Sequence, residues 1–184
     1  MARIGIYGGT FDPIHAGHLH VVTQVIKNNL VDQLLIVPAG QPLLRKDAPV
    51  ASPADRRHMC QLALKDLQPE IAAKVSVNPI EILRTGPSYA IDTVEAIKQT
   101  FPEDDIILII GQDAAEKLDQ WHRIDDLKAL VEFLVIQRPG FSGNGTDIGA
   151  IDVAATSIRQ GSSADVSSSV AAFIRENNLY DNKQ

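Results

Sequence analysis

Residues 106–110 read Ile-Ile-Leu-Ile-Ile, an aliphatic run with no charge and no turn former. A strand of that composition has no polar face, so both of its sides must be covered. Asp105–Ile110 is the most apolar of several short runs and is expected at the centre of a sheet. Arg3–Tyr7, Gln33–Val37, Lys74–Asn78, Ile80–Leu83, Glu132–Ile136 and a short Ala150–Val153 read as the other strands. Helical periods separate them. One helix starts near Ala16, faces inward with Leu19, Val22 and Ile26, and ends at Asn28-Asn29. A second begins at Ser52, with Pro53 in the first helical position and Asp55 completing a capping box; its stripe is Cys60, Ala63 or Leu64, and Leu67. A third opens at Ser88 or Tyr89, buries Ala90, Val94, Ile97 and Phe101, and stops at Pro102. Ala114–Gln120, Ile124–Leu130 and a last helix from Ser167, facing Val170, Phe173 and Ile174 inward, complete the set. Strands alternating with helices imply an α/β fold with a doubly wound, mostly parallel sheet. In such folds ligands bind beyond the carboxyl ends of the strands, where strand order switches. That gives functional weight to Gly8–His18, Pro38–Lys46, Gly111–Asp113 and Ala154–Arg159.

The 184 residues are expected to form one domain, 1–184, with a helical segment from about 155 packed on it. A net charge of −6 argues against a nucleic-acid or membrane-surface partner, so an anionic substrate needs positive potential focused in one cleft. The single Cys60 excludes an internal disulfide framework and any zinc site built from several cysteines, and it suits a reducing cytosol. No basic-then-apolar leader opens the sequence, and no apolar run approaches the roughly 18 residues of a membrane span. The expected location is the cytoplasm. Oligomeric state is open, with room for a homo-oligomer.

The chemistry is concentrated where the first strand meets the first helix: Gly8-Gly9-Thr10-Phe11-Asp12-Pro13-Ile14-His15-Ala16-Gly17-His18. Two glycines let backbone N–H groups approach an anion, and the helix N-terminus adds unpaired donors and partial positive charge. His15 and His18, three apart, share one face of the first turn and can reach the same phosphate. Taken alone, such a pair suits a plain surface turn equally well. A metal site is disfavoured, because the five histidines include no third ligand at a telling spacing. The Gly143–Gly149 stretch imitates a dinucleotide fingerprint but has one residue too many and leads into no helix, so Phe141–Gly149 reads as a loop. Arg56, Arg57 and His58 stand at a helix start, where the dipole disfavours cations. A solvated surface explains them, as would a phosphate or a partner's carboxylates.

The string Gly9–His18 resembles the nucleotidyltransferase superfamily with a T/H-x-G-H motif, and within it the bacterial nicotinate-nucleotide adenylyltransferases. Gly86-Pro87-Ser88-Tyr89-Ala90-Ile91-Asp92-Thr93 is similar to that family's P-S-Y-T-x-D-T. Ile110-Gly111-Gln112-Asp113, with Leu118 and Trp121 downstream, resembles its I-G-x-D segment, and Thr156-Ser157-Ile158-Arg159 the end of its I-S-S-T-x-I-R. The likeness runs to Asn178-Leu179-Tyr180. Three departures stand out: Ala154-Ala155 replaces two serines, Ala90 replaces a threonine, and Gln41–Lys46 lacks a clean P-P-H-K or P-W-Q-K form.

The resemblance implies a Rossmann-like nucleotidyltransferase fold and transfer of the adenylyl group of ATP to nicotinate mononucleotide, with release of pyrophosphate. It also implies Mg2+ accompanying ATP, held chiefly by phosphates and water. The attacking phosphate oxygen is already anionic, so no general base is needed, and catalysis rests on positioning and charge neutralisation. By resemblance His18 meets the α- and β-phosphates and His15 the same helix end, while Lys46 (or Arg45) and Arg159 stabilise charge building toward pyrophosphate. Gly8, Gly9, Thr10, the N–H of Phe11, Thr156 and Ser157 line the phosphate sites. Thr85, Ser88 and Tyr89 would present backbone donors to the pyridine carboxylate. Gly111 and Asp113 would approach a ribose, although Asp113 equally suits a helix N-cap. Trp121 stacks on the pyridine or is a core residue. Other acceptors (the amide mononucleotide, phosphopantetheine) and a non-catalytic adenine-nucleotide module remain as alternatives, the last kept open by Ala154-Ala155.

Overall fold

The computed structural model describes residues 1–42, 47–139 and 143–181. Among them, five strands form one parallel sheet: β1 (Arg3–Gly9), β2 (Gln33–Pro38), β3 (Val75–Val77), β4 (Asp105–Gly111) and β5 (Glu132–Ile136). Their order is β3-β2-β1-β4-β5. The chain therefore winds outward from β1 to one edge, then crosses back to β4 and winds to the other. The switch falls between β1 and β4, whose registers align Ile6 with Leu108 and Tyr7 with Ile109.

The aliphatic run in β4 divides by parity. Ile107 and Ile109 face one core with Leu34 and Ile36 of β2; Ile106, Leu108 and Ile110 face the other with Ile4, Ile6, Leu35 and Val37. The first core is closed by α1 (Ala16–Lys27), α2 (Pro53–Lys65), the short α3 (Pro69–Ala72) and, from the far end of the chain, α9 (Ser168–Glu176), after the single turn α8 (Ala155–Arg159). Val22, Val25, Met59, Cys60, Ala63 and Val170 are wholly buried there. The second core is closed by α5 (Ala90–Thr100) and α7 (Ile124–Leu130), through Ile91, Val94, Ile97 and Leu127. Each buried aliphatic side chain contributes roughly 1.5–3 kcal/mol. Strand β1 rather than β4 takes the middle of the sheet, but β4 still has a paired strand on either side.

Three expected elements differ. Ile80–Leu83 is not a strand but a helical turn, α4. The Asn78 carboxamide accepts from the Ile80 N–H at 3.0 Å and starts the turn, which buries Glu81 and leaves Leu83 exposed. Ala114–Gln120 breaks into α6 (Gln112–Ala115) and a 3-10 turn, Leu118–Gln120, which brings Leu118 and Trp121 back against the second core. Ala150–Val153 pairs with no strand; the sheet's extension on that side is an isolated bridge from Ile136 to Thr146. The described part of the expected Phe141–Gly149 loop is irregular apart from that bridge.

Helix α2 starts as expected, with the Ser52 hydroxyl accepting from the Asp55 N–H at 3.1 Å. Of its three cations His58 is exposed and Arg57 half-buried, as a solvated face requires, but Arg56 is not on that face. Arg56 is fully buried, and its guanidinium donates to the carbonyls of Thr10 (2.7 Å) and Ala39 (2.6 Å), where β1 and β2 end. His58 lies against the Phe173 ring of α9, with centroids 4.8 Å apart.

Candidate active site

At the end of β1 the chain turns through Gly9, where a Cβ would meet the Phe11 ring at 2.9 Å. Phe11 has a left-handed φ of 50° and is 2% exposed, packed edge-on to Tyr7 and His18. With its ring committed to the core, only its main chain can face a ligand. His15 caps α1. Its ring stacks on His18 with centroids 3.7 Å apart, and the Gly17 position leaves it room: a Cβ there would meet the His15 ring at 3.0 Å.

The pair is electrically specific. His18 Nδ1 accepts from the His15 backbone N–H at 3.2 Å. A neutral His18 must then carry its proton on Nε2, leaving one ring donor at the far side. Burial lowers the His15 pKa to about 4, with Asp165 partly offsetting it. Desolvation, then the neighbouring His15, holds His18 well below its ordinary value. Both rings are therefore neutral donors at pH 7 until an anion arrives.

A cleft of about 530 Å³ opens at the β1–β4 switch. Of the expected residues, Gly8, Gly9, Thr10, Ser88, Tyr89 and Trp121 line it. His15, His18, Arg159, Phe11, Thr85, Gly111, Asp113, Thr156 and Ser157 are outside that wall. Trp121 does both things considered for it: it packs against the second core and walls the cleft, with its indole N–H enclosed and without a partner among the described residues. His122, to which the sequence gave no role, also lines the cleft, its ring 4.3 Å from that of Tyr89.

Ser88 has its hydroxyl engaged by the chain itself. It accepts from the N–H groups of Gly40 (3.0 Å) and Gln41 (3.1 Å), and it donates to Glu81. The buried Glu81 carboxyl also accepts from Thr93 at 2.7 Å, and burial raises its pKa. These contacts fasten the loop after β2 to the start of α5, and Gly40 lies so close to the Glu81 carbonyl that a Cβ would approach it to 2.2 Å. Thr85 is exposed beside Gly86, whose φ is +93°. Asp113 is within the first turn of α6 rather than at its cap, and pairs with Arg138 at 2.8 Å.

Arg159 reaches the β1–α1 loop from α8. It donates to the Asp12 carbonyl at 2.7 Å and to the Thr156 hydroxyl at 3.2 Å. Ala154 caps α8 without a side-chain bond, as the missing serines require, and the Ser157 carbonyl accepts from Ser162 and Ser163. Lys46 and its alternative Arg45 lie outside the described residues. Sequence reasoning gave no role to Asp12 and read Arg56 as a surface cation or as facing a phosphate or a partner's carboxylates, not as a buried donor to main-chain carbonyls. Arg56 could have been found, since it precedes Met59 and Cys60 by three and four and so falls on the buried stripe of α2. Asp12 was inside the motif itself.

A profile of the family described as cytidylyltransferase-like matches residues 6–173. The nicotinate-nucleotide adenylyltransferase of Bacillus subtilis strain 168 is 32% identical over 193 residues, covering 98% of this chain and 100% of its own. A Bacillus pumilus relative is 36% identical over 199 residues, again covering 98% and 100%. Among solved structures, the Plasmodium falciparum nicotinic acid mononucleotide adenylyltransferase complexed with NaAD superposes with a TM-score of 0.84 at 18% identity, covering 98% of both chains. That last likeness is one of fold. With the histidine pair at the β1–α1 turn and near full-length identity above 30%, the chain belongs to the cytidylyltransferase-like family and, within it, to the bacterial nicotinate-nucleotide adenylyltransferases.

Proposed function

We infer that this protein transfers the adenylyl group of ATP to nicotinate mononucleotide, forming deamido-NAD and pyrophosphate in NAD biosynthesis. A phosphate oxygen of the mononucleotide attacks the α-phosphorus; the bond to the β-phosphate oxygen breaks, and its electron pair leaves with pyrophosphate. The observation that carries the reading is the stacked His15–His18 pair at the β1–α1 turn, beside a cleft at the strand switch. The cleft suits the mononucleotide: Gly8, Gly9 and Thr10 in its lining offer main-chain and hydroxyl groups to a phosphate, and Tyr89 with Trp121 offers aromatic surface to a flat ring. The ATP phosphates lie on the α1 side, where the Nε2–H of His18 donates to charge developing on the α- and β-phosphates. Arg159 and Thr156 face the leaving pyrophosphate. ATP enters as its Mg2+ complex. That cation is held chiefly by phosphate and water. We also propose that residues 1–184 act as one nucleotidyltransferase domain working in the cytoplasm; no helix among the described residues is long and apolar enough to cross a membrane.

Pyrophosphate release tests the reading. With ATP, nicotinate mononucleotide should turn over at least tenfold faster than nicotinamide mononucleotide. Equal or better use of the amide would remove the acid assignment, and ATP binding without pyrophosphate release with either acceptor would point to a non-catalytic module.

A further inference from the structure

Asp12 is 2% exposed, and a carboxylate so buried requires donors. Its Oδ2 accepts from the Val50 N–H at 2.8 Å; its Oδ1 accepts from the Ala51 N–H at 3.1 Å and from the Tyr180 hydroxyl at 2.7 Å. Arg159 Nη1 donates to the Asp12 carbonyl and stands 4.0 Å from Oδ2, beyond hydrogen-bond reach. One residue of the phosphate loop thus gathers segments from positions 50, 159 and 180. Tyr180 is brought there by a deliberate turn: after α9 the Leu179 N–H returns to the Ile174 carbonyl, and Asn178 and Tyr180 both take left-handed φ values, 50° and 65°. Non-glycine residues adopt that region at a cost that surrounding contacts must offset.

We propose that Tyr180 is a positioning residue for the ATP phosphates, acting through Asp12 on Arg159. The Tyr180 hydroxyl occupies Oδ1, so the carboxylate is fixed in the rotation that leaves Arg159 aimed at the Asp12 carbonyl and Thr156. Without it, Oδ1 keeps only the Ala51 N–H, and the carboxylate can tilt about its two backbone donors and draw the guanidinium, 4.0 Å from Oδ2, into a direct ion pair. The half-buried cation of the α8 turn would then be drawn away from the leaving phosphates. Burial and the Asp12 charge both raise the Tyr180 pKa, so the phenol remains a donor across the working pH range. The inference rests on the phosphate-site reading given above.

The experiment uses the full chain, titrated calorimetrically with a non-hydrolysable ATP analogue and, separately, with nicotinate mononucleotide. Tyr180→Phe keeps the ring and removes only the hydroxyl. It should weaken analogue binding about five- to tenfold while leaving mononucleotide binding within about twofold, the loss expected from one charge-assisted hydrogen bond acting at second hand. In an Arg159→Lys background the same change should have no further effect, because the route through the guanidinium is gone. Ser169→Ala is the comparison: it removes an equally remote bond from the Ser169 hydroxyl to Asp66 (2.8 Å) and should lower the melting temperature without altering analogue affinity. A Tyr180→Phe protein that binds the analogue as wild type, or effects of Tyr180→Phe and Arg159→Lys that simply add, would overturn the proposal. If wild type itself binds no analogue, the phosphate-site reading falls, and this inference with it.

Discussion

The two histidines, on the reading proposed above, need little charge at rest to serve a phosphate. Stacked and desolvated, they stand neutral, and one backbone N–H fixes which nitrogen of His18 is the donor. His18→Ala should therefore cut pyrophosphate release about a hundredfold or more, the usual loss for a preorganised donor at a charge-developing oxygen, with circular dichroism and unfolding midpoint nearly unchanged. Unaltered turnover would refute the assignment. At this scale the sequence was informative wherever a motif supplied the residue and silent where the fold supplied it. Gly9, His15 and His18 could be singled out from spacing and Thr10 from the family resemblance, but the diversion of the Ser88 hydroxyl to Gly40 and Gln41 depends on two loops 47 positions apart meeting. Nothing local in Ser88-Tyr89-Ala90 announces that.

Between elements, Arg56 is the fastener. A helix N-terminal turn is a poor place for a cation, yet this one satisfies carbonyls at the ends of two neighbouring strands. Arg56→Met keeps much of the volume and removes the donors. Each buried carbonyl left without one costs about 1–3 kcal/mol, so the urea unfolding midpoint should fall by an amount equivalent to about 2–5 kcal/mol. A midpoint within 0.5 kcal/mol of wild type, roughly a surface substitution's effect, would show that the bonds are replaceable. Periodicity located the long helices and the strands with both faces covered. It failed at Ile80–Leu83, where alternation of Ile and Glu imitates a strand but an Asn78 side-chain bond starts a turn, and at Ala150–Val153, which finds no partner strand among the described residues.

For the molecule as a whole, the same histidines set an acid limit. His15 titrates near 4 when folded and near 6.5 when unfolded, so between those values the unfolded chain binds the extra proton. Stability is complete above about pH 6.5 and is lost as pH falls toward 4, by up to about 3 kcal/mol from this residue alone. Urea unfolding at pH 7 and pH 4.5 measures it, and His15→Gln should lose clearly less over that interval. An identical slope in both proteins would mean that other groups govern the acid limb. The doubly wound architecture was legible because helices alternate with apolar runs; the exchange of β1 for β4 as the middle strand was not, since both are equally uncharged in their interiors.

Neighbouring side chains of β4 answer to different clients. Leu108 and Ile110 pack with Ile6 in the core behind the cleft, while Ile107 and Ile109 back the layer that carries the imidazoles, and Ile109 also lines the cleft. Losing a single residue from that stretch would exchange the two audiences at a stroke, whereas trimming one methylene at Leu108 or Ile110, both in the cleft wall, should shift the ratio of acid to amide turnover on the reading proposed above.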